Sequence, residues 1–228
     1  MSYEVLTFEK VLSGCTPIPD SIYCTTASQQ LVQLVGGNDQ AVLQKINQSI
    51  QDSLKGEYVS IEAGLDSFIM EYQITLDEFS DGMMGMGWSS DGTQEVIFNN
   101  GKYFTIADNY YMYTGGAHGI YGTSFFNFDV AKGVVFELGD LFEEAQMNEL
   151  TQIGKALFRE QNDIPEGQTL GEVGYWFGEN DKFYLPENFA YLGDRLLFLY
   201  NVYEVAAYAM GAQQVEIPIE RVKHLMKE

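Results

Sequence analysis

Lysine and arginine are scarce: 12 of them face 33 Asp and Glu in 228 residues, a formal net charge of −21. That shortage excludes a phosphate-backbone binder, which needs clustered cations, and disfavours an anionic lipid surface. Histidine and cysteine number two each. A catalytic zinc site usually takes three His or carboxylate ligands and an open position, and no HExxH string is present. No GxSxG elbow, no GxxxxGK[ST] phosphate loop and no EF-hand spacing occurs. No run of 18 apolar residues exists, so nothing reads as a membrane span. The N-terminus lacks the basic start and apolar stretch of a signal peptide. Leu12-Ser13-Gly14-Cys15 spells a lipobox, but Glu9 and Lys10 interrupt the apolar run it requires. Met1 therefore reads as the start of a chain whose export segment has been removed, or of a cytoplasmic protein.

What is present is a core. Hydrophobic residues make up 46% and aromatic residues 14%, too much for a disordered acidic tail. Tyr3 to Leu12 and Ser21 to Val35 read as strands, the second stopped by Gly36-Gly37. Asn38 reads as an N-cap. Val42, Ile46, Ile50 and Leu54, with Leu43, form one apolar helix stripe ended by Gly56. Leu65, Phe68, Ile69, Tyr72, Leu76 and Phe79 predict a second helix over 66–80. From Trp88 the texture becomes strands: Thr93 to Phe98, Tyr103 to Tyr113, Ile120 to Phe128 and Val134 to Glu137, an antiparallel meander. Met147, Leu150, Ile153, Leu157 and Phe158 mark another helix. Phe183-Tyr184-Leu185 and Arg195 to Tyr200 read as a hairpin around Gly193-Asp194, and Gln213 to Ile217 as a last strand before a short helix at Pro218. The fold class is α+β: an antiparallel meander packed against a few amphipathic helices, one unit with two lobes.

Candidate chemistry is thin. His118 lies in Tyr113-Thr114-Gly115-Gly116-Ala117-His118-Gly119, where three glycines imply φ > 0 or very close packing. Its imidazole is a candidate general base, or a group that pins the loop by bonding backbone; the second is the favoured reading. His224 sits in a polar terminal segment and is expected to be exposed. Met83-Met84-Gly85-Met86-Gly87 is a candidate ligand surface or copper site, with a loop tucked on the core as the favoured reading. Cys15 and Cys24 flank Pro17 and Pro19. A disulfide there and two separate buried thiols both remain open, while the spacing disfavours a metal pair.

The YTGGAHG string is followed by Phe126-Asn127-Phe128-Asp129, Gly133, Leu138-Gly139-Asp140-Leu141-Phe142, Phe183-Tyr184-Leu185 and Leu199-Tyr200-Asn201-Val202-Tyr203-Glu204-Val205-Ala206-Ala207-Tyr208-Ala209-Met210-Gly211. This series resembles the bacterial extracytoplasmic domain shared by lysozyme-sensing anti-sigma factors (RsiV-like) and the non-catalytic N-terminal part of the peptidoglycan deacetylase PdaC. The resemblance implies residues 1–102 as a PdaC-type subdomain and 103–228 as an RsiV-like domain of unknown function. It implies a periplasmic, secreted or lipoprotein setting, and raises the expectation of a Cys15–Cys24 bridge. It makes Gly115, Gly116, Gly119 and His118 landmarks of fold. No transmembrane or sigma-binding segment and no deacetylase domain with its Asp and His ligands is recognised, so neither activity is carried over.

The expected function is a non-catalytic cell-envelope binding module for a cationic protein such as a lysozyme or for peptidoglycan fragments, with Tyr113, His118 and Tyr121 as candidate binding residues. No catalytic residue, metal site, cofactor or nucleic-acid partner is expected. The alternatives are a cell-wall glycan hydrolase or transferase using carboxylates and His118, and a structural component of an envelope assembly using Tyr110 to Tyr113 or the Met loop.

Overall fold

The computed structural model describes residues 1–15, 24–78, 86–178 and 182–227. They fall into two compact units. One comprises Met1–Glu95 with Asp108–Tyr121, the other Val96–Ala107 with Gly122–Glu228. The architecture is α+β.

In the first unit, β1 (Ser2–Val11) pairs antiparallel with β2 (Thr26–Gly36), Val5 opposite Val32 and Leu6 opposite Leu31. Cys15 and Cys24 form a disulfide with Cα atoms 5.7 Å apart, between the ends of these two strands. Ala27, Leu31, Val32 and Leu34 are buried. Against them lie α1 (Gln40–Lys55) and α2 (Ile61–Glu78). The stripe legible in the sequence is the buried face of α1, through Leu43, Ile46 and Ile50. Each such side chain contributes roughly 1.5–3 kcal/mol. Asp39, rather than Asn38, is the N-cap: its carboxylate accepts from the Ala41 N–H at 2.8 Å, while Asn38 bonds the Asp39 N–H. Helix α2 begins a turn earlier than its apolar spacing suggests, because the Ser60 hydroxyl accepts from the Ala63 N–H. Phe79 and Ser80, and Met83 to Gly85, lie outside the described residues.

The chain enters β3 (Ser89–Asn99) after both helices, so β3 pairs parallel with β2, Thr26 to Gln29 opposite Ser89 to Gly92. This parallel pair lies ahead of the meander, whose strands follow one another in the sheet from β3 on. A parallel neighbour needs a crossover connection of a dozen or more residues, and the two helices supply it. The parallel ladder stops at Gln29. Beyond it the buried Gln94 side chain accepts the Val32 N–H at 2.9 Å, and Asn47 of α1 bonds both the N–H and the carbonyl of Leu34.

In the second unit, the later residues of β3, the first of β4 (Tyr103–Tyr113), β5 (Ile120–Asp129) from Gly122, and the two-residue β6 (Val134–Val135) are neighbours in that order. A separate three-stranded sheet contains β7 (Phe189–Tyr191), β8 (Arg195–Tyr200) and β9 (Gln213–Pro218). The hairpin partner of β8 is thus β7, not Phe183 to Leu185. That segment is irregular: the Phe183 ring is buried against Phe158 and Phe177, and Pro186 has no N–H to give a ladder. The short α3 (Leu138–Leu141), the long α4 (Glu144–Gln161) and the terminal α5 (Ile219–Val222) complete the unit. Leu150, Leu157 and Phe158 of α4 reach a core of Phe177, Phe198, Tyr200, Val215 and Ile217.

Side-chain amides join β5 to the smaller sheet. Asn188 accepts the Phe125 N–H at 2.9 Å and donates to the Thr123 carbonyl at 2.8 Å. Asn201 accepts the Thr123 N–H. Asn127 donates to the Phe189 carbonyl and accepts from the Tyr191 N–H and the Thr105 hydroxyl. Each amide offers a donor and an acceptor at one spot, as a neighbouring backbone would, so strand edges that no strand covers are still satisfied.

Candidate functional site: a tyrosine-rich hairpin arm

The glycine loop joins β4 to β5 in the first unit. Along β4, Phe104 to Ala107 are buried in succession. Beyond Asn109, Tyr110, Tyr111 and Met112 are 41%, 42% and 38% exposed, and Ile120 across the loop is 38% exposed. Successive strand residues point to opposite faces, so exposure at three in a row means that the arm is bare on both. Two tyrosines and two other large apolar side chains thus stand in water within one hairpin, with Met86 41% exposed beside it.

The residues singled out in the sequence are gathered here. Gly115 and Gly116 have φ of +99° and +95°, the left-handed region that a side chain resists. Gly119 has no such φ; it is needed because Tyr111 lies against it. The Tyr113 hydroxyl donates to the Gly116 carbonyl at 3.1 Å, closing the loop on its own strand, and stands 3.9 Å from the Met86 sulfur. Tyr121 is half-buried at the start of β5. His118 is exposed, with Nδ1 2.9 Å from the Gly119 carbonyl. A carbonyl only accepts, so Nδ1 carries the proton and Nε2 is the acceptor of the neutral ring. The ring is held by backbone as a loop clasp would be. His224 lies elsewhere, past the end of α5, with Nε2 3.2 Å from Glu149.

The surroundings are acidic. The first unit carries three Lys and no Arg against 15 Asp and Glu. Lys10 is bridged to Asp66 and Lys55 to Asp52, both pairs solvent-exposed and weak in water. Among the described residues no group of three or more His, Cys, Asp and Glu is placed to hold a metal ion. No helix among them is long and apolar enough to cross a membrane.

One polar cluster has no signature in the sequence. Asp108, where β4 leaves the core, is largely buried, and loss of water pushes its carboxyl up to about 6. The side-chain amides of Gln94 and Gln29 approach and oppose that rise, without a well-aligned bond to Oδ1. Gln94 is held by the Val32 N–H, which fixes its oxygen toward β2 and its nitrogen toward the carboxyl. Strand β3 is so polar that a buried glutamine in it could not be told from an exposed one.

Residues 24–121 match the family described as Deacetylase PdaC, and residues 139–220 that described as Protein of unknown function (DUF3298). The peptidoglycan-N-acetylmuramic acid deacetylase PdaC of Bacillus subtilis (strain 168) is 29% identical over 125 residues. These are 54% of this chain and 26% of that protein, so the chain spans about a quarter of its relative's length. A DUF3298 family protein of Bacteroides fragilis NCTC 9343 has a similar fold, with a TM-score of 0.83, 22% identity, and coverage of 100% of this chain and 94% of that one. One from Pseudomonas aeruginosa PAO1 gives 0.74 and 20%, covering 99% and 94%. The chain is similar to each family over part of its length, and the YTGGAHG string lies in the stretch that resembles PdaC. The PdaC match ends at Tyr121 and includes the whole arm.

Proposed function

We propose that this chain is a non-catalytic, extracytoplasmic binding module of the cell envelope, and that the tyrosine arm of its first unit holds the glycan of peptidoglycan. The observation that carries the reading is the bare aromatic arm itself, inside the segment matched by PdaC. A sugar ring presents an apolar C–H face and hydroxyl edges. A tyrosine presents a flat apolar face and a hydroxyl, and loses few rotamers on binding. An uncharged glycan also tolerates a surface of this net charge. The Cys15–Cys24 disulfide supports an oxidising compartment.

Sedimentation with insoluble peptidoglycan tests the proposal. The protein is expected to pellet with it, and Tyr110→Ala combined with Tyr111→Ala to bind about tenfold more weakly. Equal pelleting of variant and parent, or none by either, removes the glycan reading.

A cationic protein such as a lysozyme is the second reading, favoured by the three lysines against 15 carboxylates of the first unit. Such a complex forms faster at low salt. Calorimetric titration with lysozyme at two salt concentrations checks it: no heat at the lower one excludes it.

A further inference from the structure

The second unit holds a cleft of about 580 Å³. Phe136 and Phe189 form buried parts of its wall. Phe125, Phe126, Met147 and Leu185 are partly exposed into it. This volume and apolar lining are those of a small-ligand pocket. Its polar groups decide what it suits. The Asn127 side chain lies in the wall but is consumed by Phe189, Tyr191 and Thr105. Among the described residues, the ionisable ones of the lining are Glu137 and Glu187, both exposed carboxylates, and none is a cation. Glu137 uses part of its capacity in the capping box of α3, where its own N–H is taken by Asp140. Lys227 reaches the neighbouring Gly139 carbonyl at 2.6 Å, yet its charge is taken up by Glu143 at 3.3 Å.

We propose that this cleft binds a peptide presenting an apolar side chain next to an amine, the apolar group among the phenylalanines and the ammonium at Glu187 and Glu137. Aromatic faces, a polarisable methionine and two carboxylates all favour an organic cation over a neutral or anionic group of the same shape. An anion would meet two like charges at the rim. The inference rests on the cleft alone, not on the glycan reading of the other unit.

The test is a titration of the whole ¹⁵N-labelled chain followed by amide resonances. The probes are acetyl-Phe-Lys-amide, acetyl-Phe-Glu-amide, 2-phenylethylammonium and 3-phenylpropanoate. The Lys peptide and the phenylethylammonium ion are expected to shift Phe126, Leu138 and Glu187, while the two anionic probes leave them in place. Glu187 is exposed, so Glu187→Gln keeps the fold and is expected to weaken both cations about fivefold at low salt. Equal binding of cation and anion, an unchanged affinity in Glu187→Gln, or no shift at these residues overturns the proposal. Binding of the small ammonium without the peptide overturns its assignment to a peptide.

Discussion

Tyr111 lies so close over Gly119 that a Cβ on the glycine would stand 2.5 Å from the ring's Cζ. Backbone and aromatic face touch, and no side chain fits between them. Gly119→Ala must displace the ring or the strand, at a cost of roughly 1–3 kcal/mol. Gly116→Ala meets nothing within 4 Å and carries only the strain of its φ of +95°, roughly 1 kcal/mol. Urea denaturation of the two variants is expected to rank them in that order, with loss of the Tyr111 ring-current shifts in Gly119→Ala alone.

Asp108 makes stability depend on pH. Its folded pKa, about 6, is above the ordinary aspartate value of 3.8, so the native state holds the proton more tightly than the unfolded chain. The stability this group contributes is fully present below about pH 4 and is lost as pH rises through about 6. Asp108→Asn removes that dependence. The variant's advantage over the parent is expected to grow by on the order of 2 kcal/mol between about pH 4 and pH 7.5. Denaturation curves at both values check it; an equal difference at the two would show that the carboxyl titrates as in water.

The Cys15–Cys24 disulfide closes a short loop. Chain entropy assigns such a closure about 2.5 kcal/mol. Reduction, or Cys15→Ser with Cys24→Ser, is expected to lower the stability of the first unit by that order. Amide-exchange protection of β1 and β2 should fall, with that of β8 and β9 unchanged.

Asn127 is one of the amides that stitch β5 to the smaller sheet. Asn127→Ala strands the Tyr191 N–H and the Phe189 carbonyl in a buried setting, while the Thr105 hydroxyl keeps its bond to the Tyr191 carbonyl. A cost of roughly 2–3 kcal/mol follows from two orphaned groups. Thermal unfolding measures it. Asn127→Asp, which keeps the acceptor and loses the donor, should fall between parent and alanine variant.

Local elements were legible where their signals are local. Tyr103 to Tyr113 and Arg195 to Tyr200 are strands at the residues expected, because β-rich sequences end there at turn residues. The α1 stripe was readable from its spacing. Errors came where two neighbours compete for one role, as Asn38 and Asp39 do for the cap, or where distant packing overrides propensity, as at Phe183. The candidate site divides in the same way. The glycine loop and its tyrosines stood out as a string. The Asp108 cluster did not, since its members come from three strands and none is unusual where it stands.

By itself the sequence determined an α+β chain with an acidic, cation-poor composition and a tyrosine-flanked glycine loop, and it carries none of the familiar metal motifs. These follow from composition and from periods of two to four residues, which act over a few ångströms of chain. Only the tertiary structure decided that β2 and β3 run parallel, that Cys15 meets Cys24, that Asp108 loses its water, and that Asn188 serves Phe125 across 63 residues. The reason is physical. A buried polar group takes whichever partner the packed chain brings to it, and that partner leaves no trace in the residues beside it.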